Sequence, residues 1–403
     1  MHNAHIINYL PISQFIMVFN WKKIKEILIQ RKGLATIASS DILGSSITAI
    51  FWFFLASVIK PDEYGEIFYI ISIASIAFSL SNVGTENNTI VFTAKRKNLE
   101  PTLTTISLLF GTVSSLVLII IFYQTDIIIL LFGYIINSLS LGYLIGRRFY
   151  SKYGIFFLLQ KILTVILGVS FFYLFGADGI ISALAISYFG SLIVVINYYR
   201  KTPLNFQGFK KNLPFILHNY SLKAIGMFKG NVDKLIIVPL IGFSFLGNYA
   251  LALQFVAVLS LGNAFFSKYL LTNESRDVSN RILKKYYMLL NICVAISASI
   301  SLPIVVPYFF PEFTDINILL GIMCLTIIPI GITTVQTSKL LGHEIGKPNV
   351  IGAIIASTIA ILGMLLLVPL IGATGAAIVF LLSHTGQAVY LTLYVKRWEK
   401  NKQ

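Results

Sequence analysis

The amino-acid sequence predicts an all-α polytopic membrane protein, and three observations carry that expectation. Of its 403 residues, 56% are hydrophobic and only 12% charged, where a soluble domain carries about 25% charge. The mean hydropathy is +0.82. Apolar runs of bilayer length recur from residue 34 almost to the end, and about 20 helical residues cross roughly 30 Å of hydrocarbon. A β-barrel would need short segments of alternating polarity instead.

Those runs predict twelve transmembrane helices, at 34–59, 65–90, 102–122, 127–146, 154–175, 178–199, 216–241, 246–270, 286–309, 316–341, 348–369 and 373–395. Residues 1–33 form a cytoplasmic N-terminal segment, 34–199 an N-lobe of six spans, 200–215 a cytoplasmic linker, 216–395 a C-lobe of six spans and 396–403 a cytoplasmic tail.

Orientation follows from the basic residues, which the cytoplasmic face retains near span ends. Most of the 31 fall on one side: Lys22, Lys23, Lys25, Arg31 and Lys32 before span 1, then Lys95, Arg96 and Lys97, then Arg147, Arg148 and Lys152. The same side continues with Arg200, Lys201, Lys210 and Lys211, with Arg276, Arg281, Lys284 and Lys285, with Lys347, and with Lys396, Arg397, Lys400 and Lys402. Only Lys60 falls in an opposite-side loop. Both termini are thus expected in the cytoplasm, and "inner" denotes that side below. The net charge of +15 is then a topology signal, and no nucleic-acid partner is expected.

The opening "MHNAHIINYLPISQF" lacks the pattern of a cleaved signal, and Met17 stands as an alternative start. Residues 18–33 read as a basic amphipathic segment on the inner surface, with Trp21 at headgroup depth. Cys293 and Cys324 lie inside spans 9 and 10 as core filler, without a disulfide or metal signal.

The chain repeats itself. "GADGIISALAISYFGSLIVVINYYRK" from 176 aligns without gaps to "GATGAAIVFLLSHTGQAVYLTLYVKR" from 372, pairing Gly176 with Gly372, Gly179 with Gly375, Ser187 with Ser383 and Tyr198 with Tyr394. At an offset of 182, Gly65 pairs with Gly247 and Gly44 with Gly226. Shared order and register predict two pseudo-symmetric lobes in one orientation around a central cavity, whereas generic small-residue packing would not preserve register.

The "PDEYG" turn between spans 1 and 2, its counterpart "LGNYALA", and the "GADG" and "GATG" turns give the chain after residue 20 its resemblance to a known family. It resembles the Wzx-type O-antigen flippases of the multidrug/oligosaccharidyl-lipid/polysaccharide exporter superfamily. The resemblance implies a bacterial inner-membrane transporter, not an enzyme. Its implied cargo is an undecaprenyl-pyrophosphate-linked oligosaccharide, carried from the cytoplasmic to the periplasmic leaflet by alternating access. Spans 1 and 7 would border its cavity. Membrane lipids, an O-antigen polymerase and a chain-length regulator are its implied partners. No cofactor is expected, and coupling to a proton or sodium gradient stays open.

Span 7 carries the chemistry. "LKAIGMFKGNVDKLIIVPL", residues 222–240, places Lys223 at the inner boundary, Lys229 roughly 10 Å deep, and Asp233 and Lys234 near the midplane at about 1.5 Å per residue. Lys223, Lys229, Asn231, Asp233 and Lys234 share one broad helix face, opposite Ile225, Phe228, Val232, Leu235 and Ile236. An unpaired cation at bilayer depth costs about 2.5–3.5 kcal/mol on insertion scales. Lys229 and Asp233 are spaced to pair, which leaves Lys234 as a surplus cation suited to a pyrophosphate. The rival reading of these three is an ionic network that holds the lobes together.

Asp41 occupies the repeat position of Lys223, so the two face each other across the inner mouth or sit at the membrane interface. Lys223 and Lys161 suit either a cavity wall or a snorkelling stem. Glu86, Asn87 and Asn88 read as an inner-face turn, and His218 and His384 receive no role. Pro303, Pro307 and Pro329 are hinge candidates, since each removes a helical hydrogen bond, and Pro239 bends or ends span 7 near its outer side.

Three rivals share this architecture or size. A drug/cation antiporter would show unpaired carboxylates where lysines predominate here. A membrane-embedded O-antigen polymerase or ligase would need a large outer loop, and the outer loops here are short. A flippase for teichoic acid or peptidoglycan precursors is hardly separable by sequence.

Overall fold

The computed structural model describes residues 32–274, 281–343 and 345–401. The surface segment at 18–33, the alternative start at Met17 and Arg276 therefore lie outside the described residues, apart from the start of the first helix. That first helix, α1, runs Lys32–Val58 and is followed by α2, Pro61–Ser81. Next come α3 (Glu86–Ala94), α4 (Glu100–Phe122), α5 (Thr125–Gly146) and α6 (Tyr150–Phe175). After a 3-10 turn, α7 (Gly179–Tyr188) and α8 (Leu192–Lys201) complete the first half, and the short α9 (Phe206–Lys211) links the halves. The second half holds α10 (Leu213–Ile241), α11 (Phe243–Leu259), α12 (Leu261–Glu274) and α13 (Arg281–Phe309). It ends with α14 (Ile316–Met323), α15 (Ile327–Gly342) and α16 (Lys347–Lys400).

No strand occurs among the described residues, and the protein is a multi-pass membrane protein. Among the described residues, eight helical stretches are long and apolar enough to cross a bilayer, two of them, 150–201 and 347–400, of double length. α10 falls outside that set because its charges dilute it, and α11 because it is short. Apolar side chains such as Ile120, Leu174, Ile300 and Leu366 point outward, as lipid-facing residues must.

Several expected spans are broken where side chains supply what the helix gives up. Span 2 divides at 82–85, where Thr85, at φ +32°, caps α3 by accepting from the Asn88 amide. Glu86 therefore opens a helix and not a turn. Span 6 tightens into a 3-10 turn at Phe189–Ser191, where the Ser140 hydroxyl takes the Ser191 carbonyl at 3.0 Å and Ser191 itself donates to Asn137. Span 10 does the same at Cys324–Thr326, just ahead of Pro329, whose missing N–H leaves the Leu325 carbonyl without its helical donor. Span 8 divides at Ser260. Pro303 and Pro307, by contrast, sit inside a helix that runs on to Phe309, and Pro239 stands one turn before the end of α10. Cys324 is buried but Cys293 is exposed, so only the first is core filler.

The aligned repeat positions adopt matching geometry. Gly176 and Gly372 both have positive φ, +71° and +53°, a conformation that strains a residue with a Cβ. In each turn the following glycine lies over an earlier carbonyl, Gly179 over Phe171 and Gly375 over Leu367, and those two partners are themselves 196 apart. The α2–α11 crossing is reciprocal: a methyl on Gly65 would strike the Phe243 carbonyl, and one on Gly247 would strike that of Pro61. Around it an aromatic core joins the halves near their outer ends, with Tyr64 edge-on to Phe313 at 5.7 Å and Phe53 against Phe255 at 4.6 Å. Gly44 and Gly226 do not match, since Gly44 lies against Phe157 and Gly226 faces open space.

Because the atoms facing Gly65 are backbone, they cannot rotate away. Gly65→Val should therefore destabilise the protein by about 1–3 kcal/mol, the usual cost of overpacking, and should lower the melting temperature in detergent more than Gly226→Val does.

Candidate functional site

Two groups of polar side chains stand inside this bundle. The first gathers at the inner end, between the halves. α1 and α6 approach closely there, with Gly154 against Ser40 and Gly44 against Phe157. That approach brings the Tyr153 hydroxyl to Asp41, where it donates to Oδ1 at 2.7 Å. Tyr153 and Phe157, one turn apart on α6, stack nearly parallel with centroids 5.7 Å apart. One turn further, Lys161 holds its ammonium 5.4 Å from the Phe157 ring centroid, a cation–π distance. From α3, Glu86 lies within Coulombic reach of Lys223 on α10 and of Asp41 on α1. Asp41, Glu86, Lys161 and Lys223 are all half-buried. The structure thus brings Asp41 and Lys223 to one neighbourhood, across the halves, and adds Glu86 and Tyr153 to them.

The inner end of α10 is held by the first half. Asn88, fully buried, donates to the Val83 and Ile216 carbonyls and accepts from Asn219 at 2.9 Å. Tyr220 donates to the Leu80 carbonyl at 2.8 Å, and Lys97 to Asn212 at 2.7 Å.

The second group lies nearer the outer end of α10. Asp233 and Lys234 are 6% and 8% exposed, with the ammonium 3.5 Å from Asp233 Oδ1. Lys234 also donates to the Gly230 carbonyl at 2.6 Å, and Tyr249 of α11 donates to Asp233 Oδ2 at 2.8 Å. A cavity of about 20 Å³ adjoins Asp233, lined also by Tyr249, Ser383 and His384, room for about one water. Lys234, which the sequence predicts to be a surplus cation, thus has Asp233 as its counter-ion, and residues of α11 and α16 line the small cavity beside the pair. The side chain of Lys229 lies outside the described residues, so its expected pairing with Asp233 does too. Asn231 is half-buried on the same helix.

Sequence reasoning missed Tyr249, Tyr153 and the role of His384 as a cavity wall. Their partners lie on other helices, so no spacing within one helix reveals them. A larger cavity, about 300 Å³, opens at the outer end of the first half between Glu63, Glu66, Asp126 and Asp178, and none of the expected site residues lines it. Among the described residues, no three His, Cys, Asp or Glu side chains gather as a metal site.

No protein-family model matches the chain, and no curated protein matches it. Solved structures do. The lipid II flippase MurJ, in an inward closed conformation, is similar over 89% of this chain and 87% of its own, with a TM-score of 0.71 and 15% identity. An inward-facing multidrug resistance MATE transporter of the MOP superfamily covers 89% of this chain and 96% of its own, at 0.68 and 13%. A MOP superfamily transporter from Pyrococcus furiosus Vc1, described as having a binding pocket of reversed polarity, covers 93% and 97%, at 0.62 and 14%. The chain has the fold of these transporters.

Removing one member of the buried pair should cost more than removing both. Lys234→Ala leaves a buried carboxylate without its counter-ion, a change worth about 3–5 kcal/mol, whereas Asp233→Asn combined with Lys234→Met should recover most of that loss. Thermal melting of the purified single and double variants checks the ordering.

Proposed function

We propose that this protein is a flippase that carries an undecaprenyl-pyrophosphate-linked oligosaccharide, an O-antigen unit, from the cytoplasmic to the periplasmic leaflet of a bacterial inner membrane by alternating access. Twelve spans in two six-helix lobes, with both termini cytoplasmic, form part of the same proposal. One observation carries it: charged side chains from α1, α3 and α10, contributed by both halves, converge half-exposed at the inner end of an otherwise apolar bundle. Burying such groups for stability alone is unfavourable, so their placement between the halves suits a polar cargo that enters from the inner side. The likeness to a lipid II flippase supports the reading at the level of fold.

That same likeness keeps a second lipid-linked glycan, a teichoic acid or peptidoglycan precursor, as the alternative cargo. A cation exporter would use Asp41 and Glu86, but Lys223 and Lys161 beside them weaken any preference for cations. The lipid tail stays in the bilayer while the headgroup crosses. O-antigen polymerase and the chain-length regulator are the downstream partners this reading implies, and the driving gradient is left open.

Deleting the gene should cause a lipid-linked oligosaccharide to accumulate on the inner leaflet, which identifies the cargo directly. Lys223→Glu adds a third carboxylate beside Asp41 and Glu86 and should lower export about tenfold or more at unchanged protein level, with Lys223→Arg much milder. Full export by Lys223→Glu would remove the inner mouth from the transport path.

A further inference from the structure

The inner mouth is built differently from a receptor for pyrophosphate. Such a receptor would be net positive, yet among the described side chains Asp41 and Glu86 stand beside Lys161 and Lys223, two acids to two bases. Two carboxylates would repel a diphosphate, and a site of low effective dielectric strengthens that repulsion. What this group of side chains does match is a hydroxylated ring. Carboxylates accept hydrogen bonds from hydroxyls strongly and from two neighbouring oxygens at once. Phe157, half-buried beside Asp41 and stacked on Tyr153, offers an apolar plate, and a sugar ring presents C–H groups on its faces with hydroxyls at its edge. Gly44, one turn from Asp41 on α1, keeps the helix close to that plate, because any side chain there would meet Phe157 at 2.5 Å. Tyr153 donates to Asp41 from within the protein, so the carboxylate is oriented before cargo arrives, which lowers the cost of binding.

We propose that the inner mouth, formed by Asp41, Glu86, Phe157, Lys161 and Lys223, is the glycan subsite of the carrier and selects a pyranose sugar, with the pyrophosphate held elsewhere. The inference rests on the flippase reading above. Tyr153 acts as a positioning residue, since it touches Asp41 and is itself buried. The ammonium groups of Lys161 and Lys223 serve as donors to ring and hydroxyl oxygens. Sugar discrimination in this arrangement comes from the hydroxyl pattern that two fixed acceptors can satisfy, because a site built for hydroxyls rejects a ligand lacking them.

The test compares two lipids on the purified full-length protein in detergent. One is the lipid-linked glycan that accumulates in the deletion strain, and the other is bare undecaprenyl pyrophosphate. The wild type should bind the glycan-bearing lipid about tenfold or more tightly, the worth of a hydrogen bond to a charged group. Asp41→Asn and Phe157→Leu should each bring the ratio of the two affinities toward one. Tyr153→Phe should reduce the ratio by a smaller factor. Phe157→Leu preserves charge and apolar character, so it stands as the second variant if Asp41→Asn fails to fold. A wild-type ratio near one, or a ratio that survives both substitutions, overturns the glycan subsite and leaves the flippase reading in place. Failure of the wild type to bind either lipid overturns both.

Discussion

Hydrocarbon does not hold an unpaired charge, and that constraint arranges every polar group in this bundle. Near the outer part of α10 it is met internally: Lys234 and Asp233 answer each other, the Gly230 carbonyl and the Tyr249 hydroxyl complete their hydrogen bonds, and almost no room is left for solvent. At the inner end it is met by exposure, since Asp41, Glu86, Lys161 and Lys223 remain half-buried. A third arrangement stands at the inner edge of the first half. There Glu100, 1% exposed, faces Arg147 at 3.7 Å, a pair too long for a direct hydrogen bond. The same sequence signal, a charge inside an apolar run, therefore has different physical outcomes, decided by which helices lie alongside.

This explains how far the sequence could be read. Run length and the side of each basic cluster are local properties, and they place the helices of α1, α4, α5, α6 and α13 to within a few residues. The repeat was legible because backbone geometry demanded it. Gly176 and Gly372 need positive φ, and Gly65 and Gly247 must admit a carbonyl where a side chain would stand. The breaks within spans 2, 6 and 10 were not legible from run length, because the apolar runs continue through them; at span 2 a local Thr85 cap and at span 6 Ser140 from a neighbouring helix take up backbone groups. The candidate site divides in the same way. Asp41 and Lys223 were singled out by the repeat, and both lie within Coulombic reach of Glu86, whereas the hydrogen bond that holds Asp233 comes from outside its helix. Tyr249 lies on the next helix and leaves no trace in helical spacing.

The α2–α11 crossing gives the two halves a common fixed point. Carbonyl against glycine on both sides leaves no slack for sliding, and the aromatic contacts of Tyr64 and Phe313 surround it. Sliding of the halves at this end would drive these atoms together, whereas rotation about the crossing would not. For the alternating access proposed above, the crossing acts as a pivot near the outer surface, and the inner mouth lies a bilayer's thickness away. Turning about 10° around a point about 30 Å distant moves the inner ends by roughly 5 Å, enough to open or close a site the width of a sugar ring.

Such rotation would fall on α10, because that helix is hydrogen-bonded to both halves. Its inner end is bound to the first half through Asn88, Leu80 and Lys97, and its outer part to the second half through Tyr249. Between those anchorages stand Gly226 and Gly230, and among the described residues no group lies within 4 Å of where a Cβ would be at either. Glycine there costs about 1 kcal/mol of helix stability per residue relative to alanine. The helix is therefore intrinsically weak between its two attachments, three residues beyond Lys223. A bend at this point would carry Lys223 with the first half and leave Asp233 and Lys234 with the second. The closed ion pair would then stay intact while the inner mouth changes shape, so that under the proposed alternating access the two groups of charges would serve different ends.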